Sequence, residues 1–496
     1  MTDAPKDPAD DNAAPALLSE LRLLRDRVLE HSKPSLERWG MSGVDADPSL
    51  VNLAHYLALR QFDLRPIQRR LMVLGLSSLG RLESRVMPTL DAVINALCAL
   101  SSEPADYPAG TAETFFAGEA RLNDACDVLF GPPPLHRRER IMVTLPGEAA
   151  ATPALLLDLA QRGMDVARIN CAHDTPEIWR ALATEIRKVG QQVGRPVSIL
   201  MDIAGPKVRT GEVVYGETKK LQVGGAFRLV ADGAPRLSDD VEFSAAVSLP
   251  EIVTHLEVGD RVRYDDGKLE GFVETVAPGE AVIRVTQVKA GGAKLKPEKG
   301  LNLPNTDLGL SPLTAKDESD LATVLECADM IGYSFVRRPG DIDLLETAIA
   351  QCGANGERPG LVAKIERPEA VSNLPDLIAR ARPRFRFAVM IARGDLAAEI
   401  GFERLAEMQE EILWICEAAS VPVIWATQVL EGLVKDGVPS RGEMTDAAMA
   451  VRAECVMLNK GPAIREGVML LDRLMGRMEG HMLKKTPTLR ALKSWN

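Results

Sequence analysis

The chain has 496 residues, a net charge of −11, and 46% apolar and 26% charged residues. That length exceeds one core and fits about three domains of the usual ~100–200 residues. The acidic balance argues against a nucleic-acid partner, and with no run of ~18 apolar residues no membrane-spanning helix is expected.

Residues 1–15, MTDAPKDPADDNAAP, are acidic and lack an apolar core, so they read as a disordered tail rather than a signal peptide. Residues 16–135 read as a helical N-terminal domain with a linker. Leu17, Leu21, Leu24 and Val28 form a stripe at helical spacing. Helical patterns continue in NLAHYLALRQFDL and PIQRRLMVLGLSSLGRLESRV, with Pro66 suited to a first helical turn. Arg60, Arg65, Arg69, Arg70, Arg81 and Arg85 interleave with leucines, the pattern of a solvated helix face. SSEPADYPAG and GPPPL predict a linker on either side of a short helix.

From residue 139 short apolar runs alternate with helical stretches. The runs are RIMVTL (140–145), VARIN (166–170), VSILMD (197–202), DMIGYSF (329–335), LVAKIE (361–366), FAVMIA (387–392), PVIWATQ (422–428) and CVMLNK (455–460). Eight strands, each but the third followed by a helix, predict an α/β fold, a TIM (β/α)8 barrel over 136–211 and 301–496. After the third run, residues 212–300 have Gly-rich turns and strand alternation, as in DRVRYDDG and AVIRVTQV. They predict a small inserted β domain on the C-terminal face of the barrel, placed to close as a lid. The seven cysteines are scattered and form no C-x-x-C, which predicts reduced thiols and a cytoplasmic protein. The six histidines show no zinc spacing.

The runs end in Thr144, Asn170, Asp202, Ser334 (with Arg337 nearby), Lys364 with Glu366, Asp395, Thr427 and Lys460. In this fold that rim is where active sites lie. Lys364 and Glu366 are two apart on one strand and face one side; they are either a mutual ion pair or a catalytic cation beside a metal-binding carboxylate. Glu366 and Asp395 lie on adjacent strands, and two carboxylates with water and substrate oxygens suit Mg²⁺ or Mn²⁺. Arg168, Arg209 and Lys364 supply positive charge for a phosphate. No G-x-x-x-x-G-K-[ST] loop occurs, so side chains and metal must hold any phosphate.

These residues carry a resemblance. VARINCAHD, MDIAGPKVRTG, YDDGKLEG, KPEKGLNLP, SFVRR, AKIERPEAV, VMIARGDLAAEIG, VPVIWATQVLEGL and PSRGEMTDAAMAV occur in the order and spacing of the pyruvate kinase family. From residue ~139 onward, roughly seventy per cent of the chain, the sequence resembles that family. The resemblance implies transfer of a phosphoryl group from phosphoenolpyruvate to ADP, giving pyruvate and ATP. It implies that Lys364, Thr427 and Arg168 are catalytic and that Ser334, Gly394, Asp395 and Thr427 bind substrate, Gly394 through its backbone. It implies Asn170, His173, Arg209 and Lys299 at the nucleotide, and Glu366 and Asp395 at the metal. Potassium-dependent members carry Glu where this chain has Lys207; with Asn170 and Asp202 beside it, a tethered ammonium there predicts activity without K⁺.

Other differences are Leu145-Pro146-Gly147 after the first strand, Asn459-Lys460-Gly461-Pro462 after the eighth, and Met449 in place of Asn. The resemblance stops short of the family's C-terminal regulatory domain, which is expected to be absent, and the helical N-terminal region is read as an addition to the pattern. A homo-oligomer is expected. Two other readings stand beside a pyruvate kinase-like phosphotransferase: a metal-enolate barrel enzyme with a different substrate or acceptor, and a non-catalytic regulatory protein.

Overall fold

The computed structural model describes residues 13–487 except 218, 232, 239–240, 266, 305, 307, 354–357 and 485. Eight parallel strands close into a barrel: Arg140–Thr144, Met164–Asn170, Ser198–Asp202, Met330–Tyr333, Gly360–Ile365, Phe387–Ala392, Val423–Ala426 and Cys455–Leu458. They are numbered one to eight below, and each neighbours the next around the ring. The expected α/β barrel is therefore present. Its strands are buried on both faces, which is why they read as near-continuous apolar runs.

Alternate residues of each strand face the axis. Met142, Val166, Leu200, Met330, Val362, Ala388, Met390, Ile424, Cys455 and Met457 form one apolar cluster there. Two residues further along several strands, the same parity reaches Thr144, Arg168, Asp202, Lys364 and Asn459. The interior thus passes from apolar at the base to polar at the mouth.

The N-terminal helices α1 (Ala13–Arg38), α2 (Pro48–Leu59), α3 (Arg65–Val73) and α4 (Val86–Leu100) bury the predicted stripe of Leu17, Leu21, Leu24 and Val28. α1 begins at Ala13, inside the segment read as a tail; residues 1–12 lie outside the described residues. This unit docks on the barrel flank. Asn52 Nδ2 donates to Ala418 O at 2.8 Å, Arg382 pairs with Asp47 at 2.6 Å, and Trp39 Nε1 donates to Asp376 at 2.6 Å. Arg60, read as part of a solvated face, lies over the Trp414 ring at 4.8 Å and helps join the unit to the barrel.

The helix expected to be short is α5, Ala112–Phe130, 19 residues long and opened by a capping box at Thr111. Its Leu122, Cys126, Leu129 and Phe130 belong to the barrel's interior cluster, so α5 plugs the base. Gly360 at the start of strand five makes room for it: a Cβ there would sit 2.4 Å from Leu129 Cδ2. A helix whose apolar face has no partner inside its own segment looks like a linker in sequence.

Between strands three and four, a seven-stranded sheet runs from Thr210–Tyr215 to Leu301–Asn302. It has its own core around Phe227, Phe243, Tyr264 and Ile283.

Candidate active site

A cavity of about 240 Å³ opens at the C-terminal mouth of the barrel. Its wall includes Arg168, Asn170, Lys207, Arg209, Ser334, Lys364, Glu366, Gly394, Asp395 and Thr427. Ten predicted residues, scattered over 260 positions of sequence, thus come together because their strands end on one rim.

Lys364 lies at the centre. Its ammonium donates to Ser334 Oγ at 2.8 Å and pairs with Glu366 at 2.9 Å and Asp202 at 3.6 Å. Ser334 Oγ in turn donates to Ile203 O at 2.9 Å, which fixes its rotamer. Burial disfavours the Lys364 charge, but Glu366 and Asp202 outweigh it and hold the amine's pKa above its ordinary value. Lys364 is a committed cation, not a base.

Asp202 lies beneath Arg168 and Lys364 and is 1% exposed. Arg168 Nε donates to it at 2.7 Å, and another Arg168 nitrogen donates to Thr144 Oγ1 at 2.9 Å. Burial opposes ionisation of Asp202, yet Arg168 and then Lys364 more than compensate and hold its carboxyl below the usual range. Asp202 thereby sets two cations side by side, facing the cavity.

Glu366 accepts the Phe335 amide at 2.7 Å. Burial pushes its carboxyl up against the pull of Lys364, and the nearby Asp395 charge pushes the same way. Lys207 holds Asp395 from the other side, with its ammonium 2.8 and 3.0 Å from the two oxygens. Burial works against the Asp395 charge, but Lys207 prevails and the pKa falls. The two carboxylates are hard oxygen donors on one wall that feel each other's charge. A divalent cation with an oxygen preference fits that donor set, completed by substrate and water. Among the described residues no cluster of three or more His, Cys, Asp or Glu has metal-holding geometry, so such a cation would rest on these two.

Thr427, Gln428 and Leu430 all have positive φ, at 63°, 56° and 49°. That conformation is costly for side chains with a Cβ, and here it swings Thr427 over the cavity. Thr427 Oγ1 accepts the Gly394 N–H at 2.7 Å. The Gly394 amide is therefore committed to Thr427 rather than offered to a substrate carboxylate. The accepting lone pair leaves the Thr427 O–H free to donate. Arg393, of the same Arg-Gly-Asp turn, points back into the wall. It lies over Trp425 at 4.8 Å, pairs with Asp446, and donates to Ala426 O at 3.1 Å.

Some expectations fall elsewhere. His173 and Lys299 are not on the cavity wall. Lys299 pairs with Asp265 at 3.3 Å within the inserted sheet. Burial, then Lys460 and Arg209, lower the pKa of His173, which places those two cations near it. On strand eight, Asn459 lines the cavity in place of Lys460, as the inward parity of Met457 dictates. Phe335, Gln428 and Glu431 also line it and had no signal in the sequence. The unusual turn at 145–147 packs on its neighbour, a Cβ at Gly147 meeting Asp174 Oδ1 at 2.5 Å. The one at 459–462 packs beneath Val434, whose carbonyl accepts from Ala463 N at 3.0 Å.

The family described as pyruvate kinase, barrel domain, matches residues 136–465. The chain is 36% identical over 326 residues to a pyruvate kinase of Methylorubrum extorquens, covering 65% of this chain and 64% of that protein. It is 31% identical over 347 residues to one of Mycobacterium intracellulare (69% and 70%) and 34% identical over 362 residues to one of Agrobacterium vitis (70% and 69%). The match thus spans just under two thirds of the Methylorubrum protein's length. With a family match over most of its length and with the rim described above, the chain belongs to the pyruvate kinase family of phosphotransferases.

Proposed function

We propose that this protein transfers the phosphoryl group of phosphoenolpyruvate to ADP, giving pyruvate and ATP, with a divalent cation at Glu366 and Asp395. The observation that carries the reading is Lys364, a buried ammonium held above its ordinary pKa, paired with Glu366 at 2.9 Å and sharing the cavity with Arg168 and Asp395. Phosphoryl transfer demands positioning and neutralisation of moving charge more than covalent help. Arg168 and Lys364 receive the phosphoryl oxygens, and Lys364 also faces the enolate oxygen that develops as the bond to phosphorus breaks. Ser334 keeps that ammonium in place. The Thr427 O–H, on the wall beside the Arg393-Gly394-Asp395 turn, orients the three-carbon product. The metal, when bound, adds charge neutralisation at the transferred group.

The Lys207 ammonium supplies a fixed monovalent charge in the same cavity, so the reaction proceeds without K⁺. Asn170 and Arg209, on the wall, face the nucleotide, with His173 in the loop three residues after Asn170; Lys299, in the inserted domain, reaches it when that domain closes. Because His173 and Lys299 stand off the wall, a second reading remains, in which the enolate site serves another acceptor. The seven thiols, unpaired among themselves, accord with a reducing, cytoplasmic setting, and among the described residues no helix is long and apolar enough to cross a membrane. We further propose a homo-oligomer acting on small molecules alone.

The test is lactate dehydrogenase-coupled turnover of phosphoenolpyruvate with ADP and Mg²⁺, in Na⁺ and in K⁺ buffer. Turnover in both supports the reading, and strong activation by K⁺ sinks its monovalent part. Metal-dependent exchange of pyruvate methyl protons without turnover points to the second reading.

A further inference from the structure

The inserted domain meets the barrel at helix Arg393–Ile400, the helix whose first turn carries Asp395. Arg263, in strand Arg261–Tyr264 of the inserted sheet, donates through one terminal nitrogen to Ala397 O at 3.2 Å and to Ala398 O. Glu270, one strand away, holds the guanidinium through Nε at 2.8 Å. Arg263 pairs in register with Asn302 on the strand that returns to the barrel. Asn302 is buried and donates to Glu399 Oε1 at 3.2 Å. One strand pair thus grips the C-terminal half of one short helix.

A helix C-terminus has carbonyls without intrahelical partners and the negative end of its dipole. Ala397 O already accepts from Gly401 N at 2.9 Å, so Arg263 adds a charged donor to that carbonyl and to the Ala398 carbonyl beyond it, at the negative end of the dipole. Ala398 is three residues from Asp395, so what holds the carbonyl end holds the carboxylate within one helical turn.

We propose that Arg263 is a positioning residue: the inserted domain, when seated, clamps helix Arg393–Ile400 through the Ala397 and Ala398 carbonyls and so places Asp395 against Glu366. Movement of the domain releases the clamp. The position of the inserted domain is thereby transmitted to the Asp395 carboxylate without any contact between Arg263 and substrate. The consequence for metal binding rests on the reading of Glu366 and Asp395 given above; the clamp itself does not.

The test compares wild type, Arg263→Ala and Arg263→Lys by hydrogen exchange and by Mn²⁺ binding followed by electron paramagnetic resonance. In Arg263→Ala, protection of amides 393–401 should fall about ten-fold, with hairpin 269–288 unchanged, and Mn²⁺ affinity should fall with it. Arg263→Lys should recover part of both. Wild-type protection at 393–401 in the alanine variant would overturn the proposal. If that variant loosens the 269–288 hairpin as well, the lysine variant decides. Partial loss at 393–401 with an intact hairpin then supports the clamp, and full protection refutes it. If even the wild type binds no Mn²⁺, the metal reading fails, while the exchange data still judge the clamp.

Discussion

Gly332 on strand four has no side chain because Asp202 of strand three occupies the space: a Cβ there would lie 1.8 Å from Asp202 Oδ1. The two residues pair in register, and the carboxylate that Gly332 admits holds both Arg168 and Lys364. Gly332→Ala should therefore displace Asp202 and disorder the two cations. The expected outcome is a loss of turnover of about a hundred-fold or more, in line with a misplaced charge-stabilising group. Steady-state assays on the folded variant check it.

Asp202→Asn should destabilise the protein by about 3 kcal/mol at neutral pH, because it leaves the buried Arg168 without its anion and Lys364 with Glu366 alone. The folded pKa of Asp202 is depressed from 3.8. Its contribution is thus fully present above that ordinary value and is lost as pH falls through the lower folded value. Urea unfolding of wild type and variant should show a constant gap from pH 7 to about 5 that narrows below about 4. A gap that widens on acidification would contradict the assignment.

Lys207→Ala removes the tethered ammonium from Asp395. Activity should fall, and K⁺ should restore part of it where Na⁺ does not. Rates measured across both salts at constant ionic strength decide this. An unresponsive variant would mean that Lys207 serves only to neutralise Asp395.

Leu129 of α5 fills the barrel base beneath Gly360. Leu129→Ala should cost about 2–5 kcal/mol through lost burial and a residual cavity. KM should stay near wild type, because the plug and the cavity mouth lie at opposite ends of the barrel. Calorimetry and kinetics on the same preparation test both halves.

The barrel was legible because each strand is a short apolar run ending in a polar residue, although the eighth run was read as ending in Lys460 and it is Asn459, in parity with Met457, that stands on the wall. Lys364, Glu366, Asp395 and Thr427 were legible as strand ends. What was hidden depended on contacts distant in sequence. Nothing local shows that Lys207 reaches Asp395, 188 positions away, or that Thr427 takes the Gly394 amide. α5 looked like part of a linker because its apolar face finds its partners only inside the closed barrel. Nor does anything local show that Lys299 pairs with Asp265.

The central claim is that Lys364 carries the phosphoryl transfer, and the Lys364→Met variant tests it most directly. Measured beside wild type with phosphoenolpyruvate, ADP and Mg²⁺, it should lose about 10²–10³ in turnover, the usual loss of one preorganised charge-stabilising group. Turnover by the variant within a few-fold of wild type would contradict the account.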